Sequence, residues 1–142
     1  MHPLTVEIIP ATEEEAKFVD NKLDVFNENY KPFTRIPTPL AKNYVIKEKE
    51  AIIAGINSLI YYDTMYVGVL FVNEDYRHKG LGSSLLHKVE ADAKTMGVHL
   101  IHLDTFEFQA LDFYLKHGYE VFGVLDDCPW KGHTRYYLKK KV

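Results

Sequence analysis

Leu70-Phe71-Val72-Asn73-Glu74-Asp75-Tyr76-Arg77-His78-Lys79-Gly80-Leu81-Gly82-Ser83-Ser84-Leu85-Leu86 runs from an apolar strand through a short basic glycine turn into a helix. Beyond it Leu85, Leu86, Val89, Ala93 and Met96 recur at three- and four-residue spacing, which is one face of an amphipathic helix. Gly97 follows the last periodic position, where a left-handed cap is expected. A helix placed here allows a crossover to a parallel strand, so the stretch makes the fold mixed α/β.

The glycine turn carries the first chemical signal. Without a Cβ, Gly80 and Gly82 let the backbone bend sharply and approach a ligand closely. The N–H groups of the first helical turn have no partners within the helix, and the helix dipole favours an anion in front of them. Arg77 and Lys79 add positive charge, so the turn reads as a diphosphate cradle. It is neither a Walker loop nor a dinucleotide fingerprint, because both need glycines at other spacings.

The rest of the chain bounds what the cradle can serve. Its 142 residues fit one domain spanning residues 1–142, and 46% hydrophobic with 26% charged residues is ordinary for a globular protein. A net charge of −3 argues against a nucleic-acid partner, which would select a strongly basic face. The single Cys128 excludes an intrachain disulfide framework and suits a reducing compartment. With neither a signal-peptide pattern nor a bilayer-length apolar run, a cytoplasmic protein without a membrane partner is expected.

In chain order, Thr5 to Ile9 reads as a short strand. Thr12 with Glu15 reads as a capping box ahead of a helix marked by Ala16, Val19, Leu23, Phe26 and Tyr30. Three prolines between Pro32 and Pro39 make a loop. Strands follow at 44–47, 52–61 and 65–72, with Gly55 as a candidate bulge. After the central helix come a strand at 98–104, a helix from about 107 to 117 stopped by Gly118, and strands at 119–125 and 133–138. Lys139 to Lys141 read as a solvated tail.

The motif Arg77-x-x-Gly80-x-Gly82 after an apolar strand resembles the acyl-CoA turn of the GNAT superfamily of N-acetyltransferases. One strand later, Ala110-Leu111-Asp112-Phe113-Tyr114-Leu115-Lys116-His117-Gly118-Tyr119 resembles the signature that closes GNAT domains. Two motifs in the right order, with the right elements between them, spread the resemblance over the whole chain. It implies a seven-stranded, mostly antiparallel sheet splayed between its fourth strand, 65–72, and its fifth, 98–104. Acetyl-CoA would enter that split as cosubstrate.

Carried over residue by residue, the resemblance implies that backbone groups of Leu70, Phe71 and Val72 bind the pantetheine arm. The turn His78, Lys79, Gly80, Leu81, Gly82 and Ser83 would hold the diphosphate, with Arg77 and Lys79 assisting. Tyr114 occupies the position of the family's general acid. The family's strand-borne glutamate is missing from 65–72, which leaves Glu74 as the candidate base, with Glu28, Asp104, His133 and ordered water as alternatives. Glu107 stands where many relatives carry an asparagine that contacts CoA, and an ionised carboxylate cannot donate there. The resemblance also implies direct transfer without an acyl-enzyme, and a homodimer by analogy.

Tyr30, Phe33, Asp104, Trp130 and His133 are candidate acceptor-binding residues. Together with the acidic net charge they favour a small cationic primary amine. The alternatives are a protein or peptide acceptor, and a CoA-binding regulatory module without catalysis. No metal is expected, since His99 and His102 point to opposite faces of an extended strand.

Overall fold

The structure, a computed structural model, describes residues 4–30 and 39–142. It divides into two units, residues 1–35 and 36–142. In the first, helix α1 spans Glu13–Tyr30. Its capping box forms as read: the Glu15 amide donates to Thr12 Oγ1 at 3.1 Å, and the Thr12 amide donates to Glu15 Oε1 at 3.0 Å. Residues 5–9 are not a strand, because no strand among the described residues pairs with them.

Among the described residues the second unit has a six-stranded sheet, not the expected seven, in the order β1-β2-β3-β4-β6-β5. The strands are β1 (Leu40–Glu48), β2 (Ala51–Tyr61), β3 (Thr64–Val72), β4 (Leu100–Phe106), β5 (Glu120–Asp126) and β6 (Thr134–Lys141). Helix α2 (Leu81–Thr95) crosses from β3 to β4, and the short α3 (Leu111–Lys116) links β4 to β5. β1 through β3 form an antiparallel meander, and β3 with β4 is the parallel pair that the crossover allows.

The periodic face of α2 is the face it buries. Leu85, Leu86, Val89 and Ala93 pack with Ile56, Ile60, Met65, Val67, Ile101, Leu103 and Leu138 in one core cluster. Gly80 and Gly97 bracket the helix at φ of 78° and 79°, a left-handed backbone that residues with a Cβ rarely adopt.

Three readings of the sequence need correction. The bulges of β2 and β3 fall at Ile53 and Gly68, while Gly55 is in register with Val45 and Phe71. The last helix begins at Leu111, not near 107: the Phe106 amide donates to Gln109 Oε1 at 2.8 Å, and the Ala110 amide to Thr105 Oγ1 at 3.3 Å. These side chains hold residues 107–110 as a turn. Finally, Lys139 to Lys141 belong to β6. Lys140 Nζ donates to buried Glu90 at 2.9 Å and to the His117 carbonyl at 2.8 Å, while Tyr119 donates to the same Glu90 carboxylate. A lysine with a buried counter-charge is held in place and is not a solvated tail.

Candidate active site

β3 and β4 pair only from Thr64 with Leu100 to Val67 with Leu103. Beyond that point each strand stays paired to its outer neighbour. β3 runs along β2 as far as Val72 with Ala54, and β4 along β6 as far as Phe106 with Arg135. The strands therefore part, and a cleft of about 970 Å³ opens between them. The parting starts at Gly68, the extra residue of the bulge against β2. A glycine inside a strand is a readable sign of a bulge or of close backbone approach, and it passed unread in the sequence.

Three groups of residues line the cleft. Val67 to Val72 form one wall. Arg77, His78 and Gly80 to Ser83 close one end, and Asp104, Thr105 and the stretch from Glu107 to Tyr114 form the other wall. Among the cradle residues read from the sequence, Lys79 is the one outside this lining; its ammonium lies 5.5 Å from the Tyr76 ring centre.

At the cradle, the first helical bond is from the Ser84 amide to the Gly80 carbonyl, at 3.0 Å. The preceding amides of Leu81, Gly82 and Ser83 have no partner among the described residues. A Cβ on Gly82 would meet the Phe113 ring at 3.4 Å and Val72 at 3.7 Å, so the helix starts tight against both cleft walls. Open amides at a helix mouth, beside Arg77 and His78, fit a diphosphate.

Tyr114 sits on α3 with only 6% of its surface exposed. Burial, with the charge of Asp104 adding, pushes its phenol up to about 12. Its hydroxyl has no hydrogen-bond partner among the described residues, and the residue lines the cleft. Asp104, on the same wall, takes two N–H bonds from Arg135 at 3.0 and 2.7 Å on Oδ1, and one from the Tyr66 hydroxyl at 2.7 Å on Oδ2. Burial, then the bond to Asp104, raises the Tyr66 phenol above its usual range. The Asp104 bond likewise raises the Arg135 guanidinium.

Glu107 does not reach toward the cradle. Its carboxylate accepts from the Thr134 amide at 3.0 Å and pairs with His133 Nδ1 at 2.5 Å. The Thr134 amide first, and then His133, hold it below the usual carboxylate range. The pair ties the β4–α3 turn to the β5–β6 hairpin. Above it Phe106, Phe108, Trp130 and His133 cluster: Phe108 stacks on Phe106 at 5.5 Å and on Trp130 at 6.3 Å, with His133 edge-on to Phe108. Phe108 lines the cleft, and both Phe108 and Trp130 are more than half exposed.

The structure thus brings Tyr114, Asp104 and most of the cradle to one cleft, with Trp130 and His133 joined to it through Phe108. It does not bring Glu74 there: that residue is exposed on a 3-10 turn, Glu74–Tyr76, outside the lining. Tyr30 is the last residue of α1 in the other unit, and Phe33 lies outside the described residues. Tyr66, Arg135 and Phe108 were not picked out from the sequence. Tyr66 and Arg135 matter through pairings across 38 and 31 residues, which composition and periodicity do not carry.

Among the described residues no helix is long and apolar enough to cross a membrane. Comparison with known proteins agrees with the geometry. The sequence pattern of the Acetyltransferase (GNAT) family matches residues 7–119. The crystal structure of an acetyltransferase from Bacillus cereus superposes with a TM-score of 0.87 at 35% identity, covering 96% of this chain and 98% of that one. Blasticidin-S acetyltransferase of Streptomyces morookaense is 29% identical over 107 residues, 75% of this chain and 78% of that protein. A Bacillus anthracis structure assigned as a streptothricin acetyltransferase, solved with acetyl coenzyme A, shares the fold at 23% identity and a TM-score of 0.64, over 80% of this chain and 68% of that one. The chain belongs to the GNAT acetyltransferase family and is an acyl-CoA-dependent acyltransferase.

Proposed function

We propose that the protein transfers the acetyl group of acetyl-CoA directly to the primary amine of a small cationic molecule, with Tyr114 as the general acid. The observation that carries this reading is the unpartnered Tyr114 hydroxyl on the wall of a cleft whose far end is a row of open helix amides. The acyl relatives named above support it, since blasticidin S and streptothricin are small molecules.

In this reading the amides of Leu81, Gly82 and Ser83 hold the diphosphate with Arg77 and His78. The free edge of Leu70, Phe71 and Val72 binds the pantetheine arm, because a strand edge offers donors and acceptors at peptide spacing. A main-chain N–H near Phe71 or Val72 faces the oxyanion as the amine attacks. The new C–N bond forms and the C–S bond breaks, and Tyr114 supplies a proton to the departing sulfur.

Asp104 orients the acceptor. A carboxylate offers about four lone-pair sites; two N–H bonds and one hydroxyl bond occupy three, which leaves one on Oδ2 for an acceptor ammonium. Phe108 and Trp130 give the apolar body of the acceptor a surface to rest on. With Glu74 outside the cleft, the proton shed by the amine leaves through water. The test is thiol release from acetyl-CoA across a panel of small mono- and polycationic amines, neutral amines and peptides, with products identified by mass. Acetylation confined to small cationic amines is expected. Turnover of peptides alone, or of no amine while acetyl-CoA still binds, overturns the proposal.

A further inference from the structure

Ser83 and His117 form a contact that the transfer chemistry does not use. Ser83 Oγ lies 2.9 Å from His117 Nε2, and His117 Nδ1 lies 2.7 Å from the Phe113 carbonyl oxygen. A carbonyl only accepts, so Nδ1 carries a proton in every state of the ring that keeps this bond. In the neutral ring Nε2 is then a bare lone pair, and the Ser83 hydroxyl must donate to it. That hydroxyl, in the first turn of α2 and on the cleft lining, is spent inward and has no proton left for a ligand.

Protonating His117 reverses the bond. Nε2–H now donates to Ser83 Oγ, and the hydroxyl proton is released to turn into the cleft. A positive charge appears behind the amides at the same moment. We infer that His117 is a positioning residue for the coenzyme's diphosphate: taking up a proton, it turns the Ser83 hydroxyl from an internal donor into a donor to phosphate. The inference rests on the reading of the Leu81–Ser83 turn as the diphosphate site.

The surroundings hold the ring in place for this role. Its ring packs on Phe113 at 4.4 Å, and Phe113 is the residue against which Gly82 starts the helix. The titratable and charged groups around it are His87 on α2, 5.5 Å away ring to ring, Glu90 on α2, Lys140 on β6, Tyr119 after α3, and Lys116 beside it in sequence. Lys140 and Glu90 are paired, so neither presents an uncompensated charge to the ring. Of the two facing imidazoles, His87 and His117, the one that meets the Ser83 hydroxyl is His117. His78, exposed in the cradle turn, is the other histidine near the ligand and is common to every protein compared below.

The experiment uses the full chain and 3′-dephospho-CoA, whose diphosphate stays fully ionised across the histidine range. Amide resonances of Leu81, Gly82 and Ser83, and side-chain nitrogen resonances of His117, are followed during titration at several pH values. In parallel, calorimetry gives the Kd from about pH 8 to about pH 6 for the wild type and for His117→Gln. The expected result is that the three amides shift, His117 Nε2 moves to its protonated position on binding, and affinity tightens about fivefold to tenfold over that range in the wild type beyond the change in H117Q. Amide shifts with a neutral His117 and equal pH slopes in both proteins overturn the inference and leave the cradle intact. Amides that do not shift overturn the cradle and the inference with it. The resonance measurement needs no substitution, so it decides even if H117Q does not fold.

Discussion

Replacing Tyr114 by phenylalanine removes one oxygen and nothing else that the fold uses. The hydroxyl has no hydrogen-bond partner among the described residues, so its loss orphans none of them, and the ring keeps its place against Phe113 and Tyr119. Stability should change by less than about 1 kcal/mol. The effect on turnover follows from the acidity of the group. A phenol pushed up to about 12 is a weaker acid than a thiol of roughly 8.5, so complete proton transfer to a free thiolate runs uphill. The gain comes from a hydrogen bond that strengthens as charge builds on sulfur, which places it at the low end for general acids. A loss of about a hundredfold in kcat is expected, close to 2.7 kcal/mol of barrier. KM for acetyl-CoA should stay within about twofold, because the bond matters only in the transition state. Steady-state thiol release from about pH 6 to 9, with a thermal melt alongside, makes the measurement. Unchanged kcat at every pH, in a protein that melts normally, refutes the assignment.

Three further predictions follow from the same geometry. Tyr114 has a higher pKa folded than unfolded, so its contribution to stability is complete below about pH 10 and is lost as pH rises toward about 12; denaturant midpoints should fall there, and Y114F should remove roughly 2 kcal/mol of that fall. Gly80→Ala meets no atom within 4 Å yet must hold a φ of 78°, so it should cost about 1 kcal/mol with an unchanged m-value and weaken CoA binding through the displaced helix start. Glu90→Gln strips the counter-charge from Lys140 and should cost about 2 kcal/mol, most of it recovered by adding Lys140→Met; equal stability of the single and double variants would show that the pair is solvent-screened.

Much of the fold was legible because it rests on local signals. The capping box at Thr12 and Glu15, the periodic face of α2 and the left-handed glycines at its two ends all follow from residues within a few positions of one another. What the sequence hid was long-range. A strand at residues 5–9 has the right composition, but a strand exists only through a partner, and none pairs with it among the described residues. The start of the last helix moved to Leu111 because Gln109 and Thr105 bond backward into the turn, a competition that periodicity does not register. The three lysines at 139–141 looked like a tail because a buried partner on α2, fifty residues earlier, is invisible in a linear reading. At the site, Asp104 and Tyr114 were found, whereas Arg135 and Tyr66 depend on the register of β6 and β3 against β4.

The opening between β3 and β4 is maintained from outside, and that explains how an apolar core can carry it. Leu70 to Val72 remain paired with β2, and Asp104 to Phe106 remain paired with β6, so neither strand is free to drift across and close the gap. The backbone groups on the two inner edges are then left without a ladder, and burying such groups unpaired is costly. A cleft of this kind persists only if water or a ligand with peptide-like donors and acceptors fills it. The Gly68 bulge sets where this begins, since the extra residue bends β3 just past its last pairing with β4. Deleting Gly68 would remove the bulge without changing the register: Val67 with Ser58 and Val69 with Asn57 become successive pairs, and the inward and outward faces of Leu70 to Val72 are kept. Leu70 and Val72 would still pack against the core, with Val69 and Phe71 outward, but the bend that turns β3 away just past its last pairing with β4 would be gone. With β3 straightened, its pairing with β4 should run on past Val67 and narrow the cleft, so the deletion should weaken acetyl-CoA binding while the helices keep their far-ultraviolet signal; retained binding at wild-type affinity would mean that the bulge does not set the cleft.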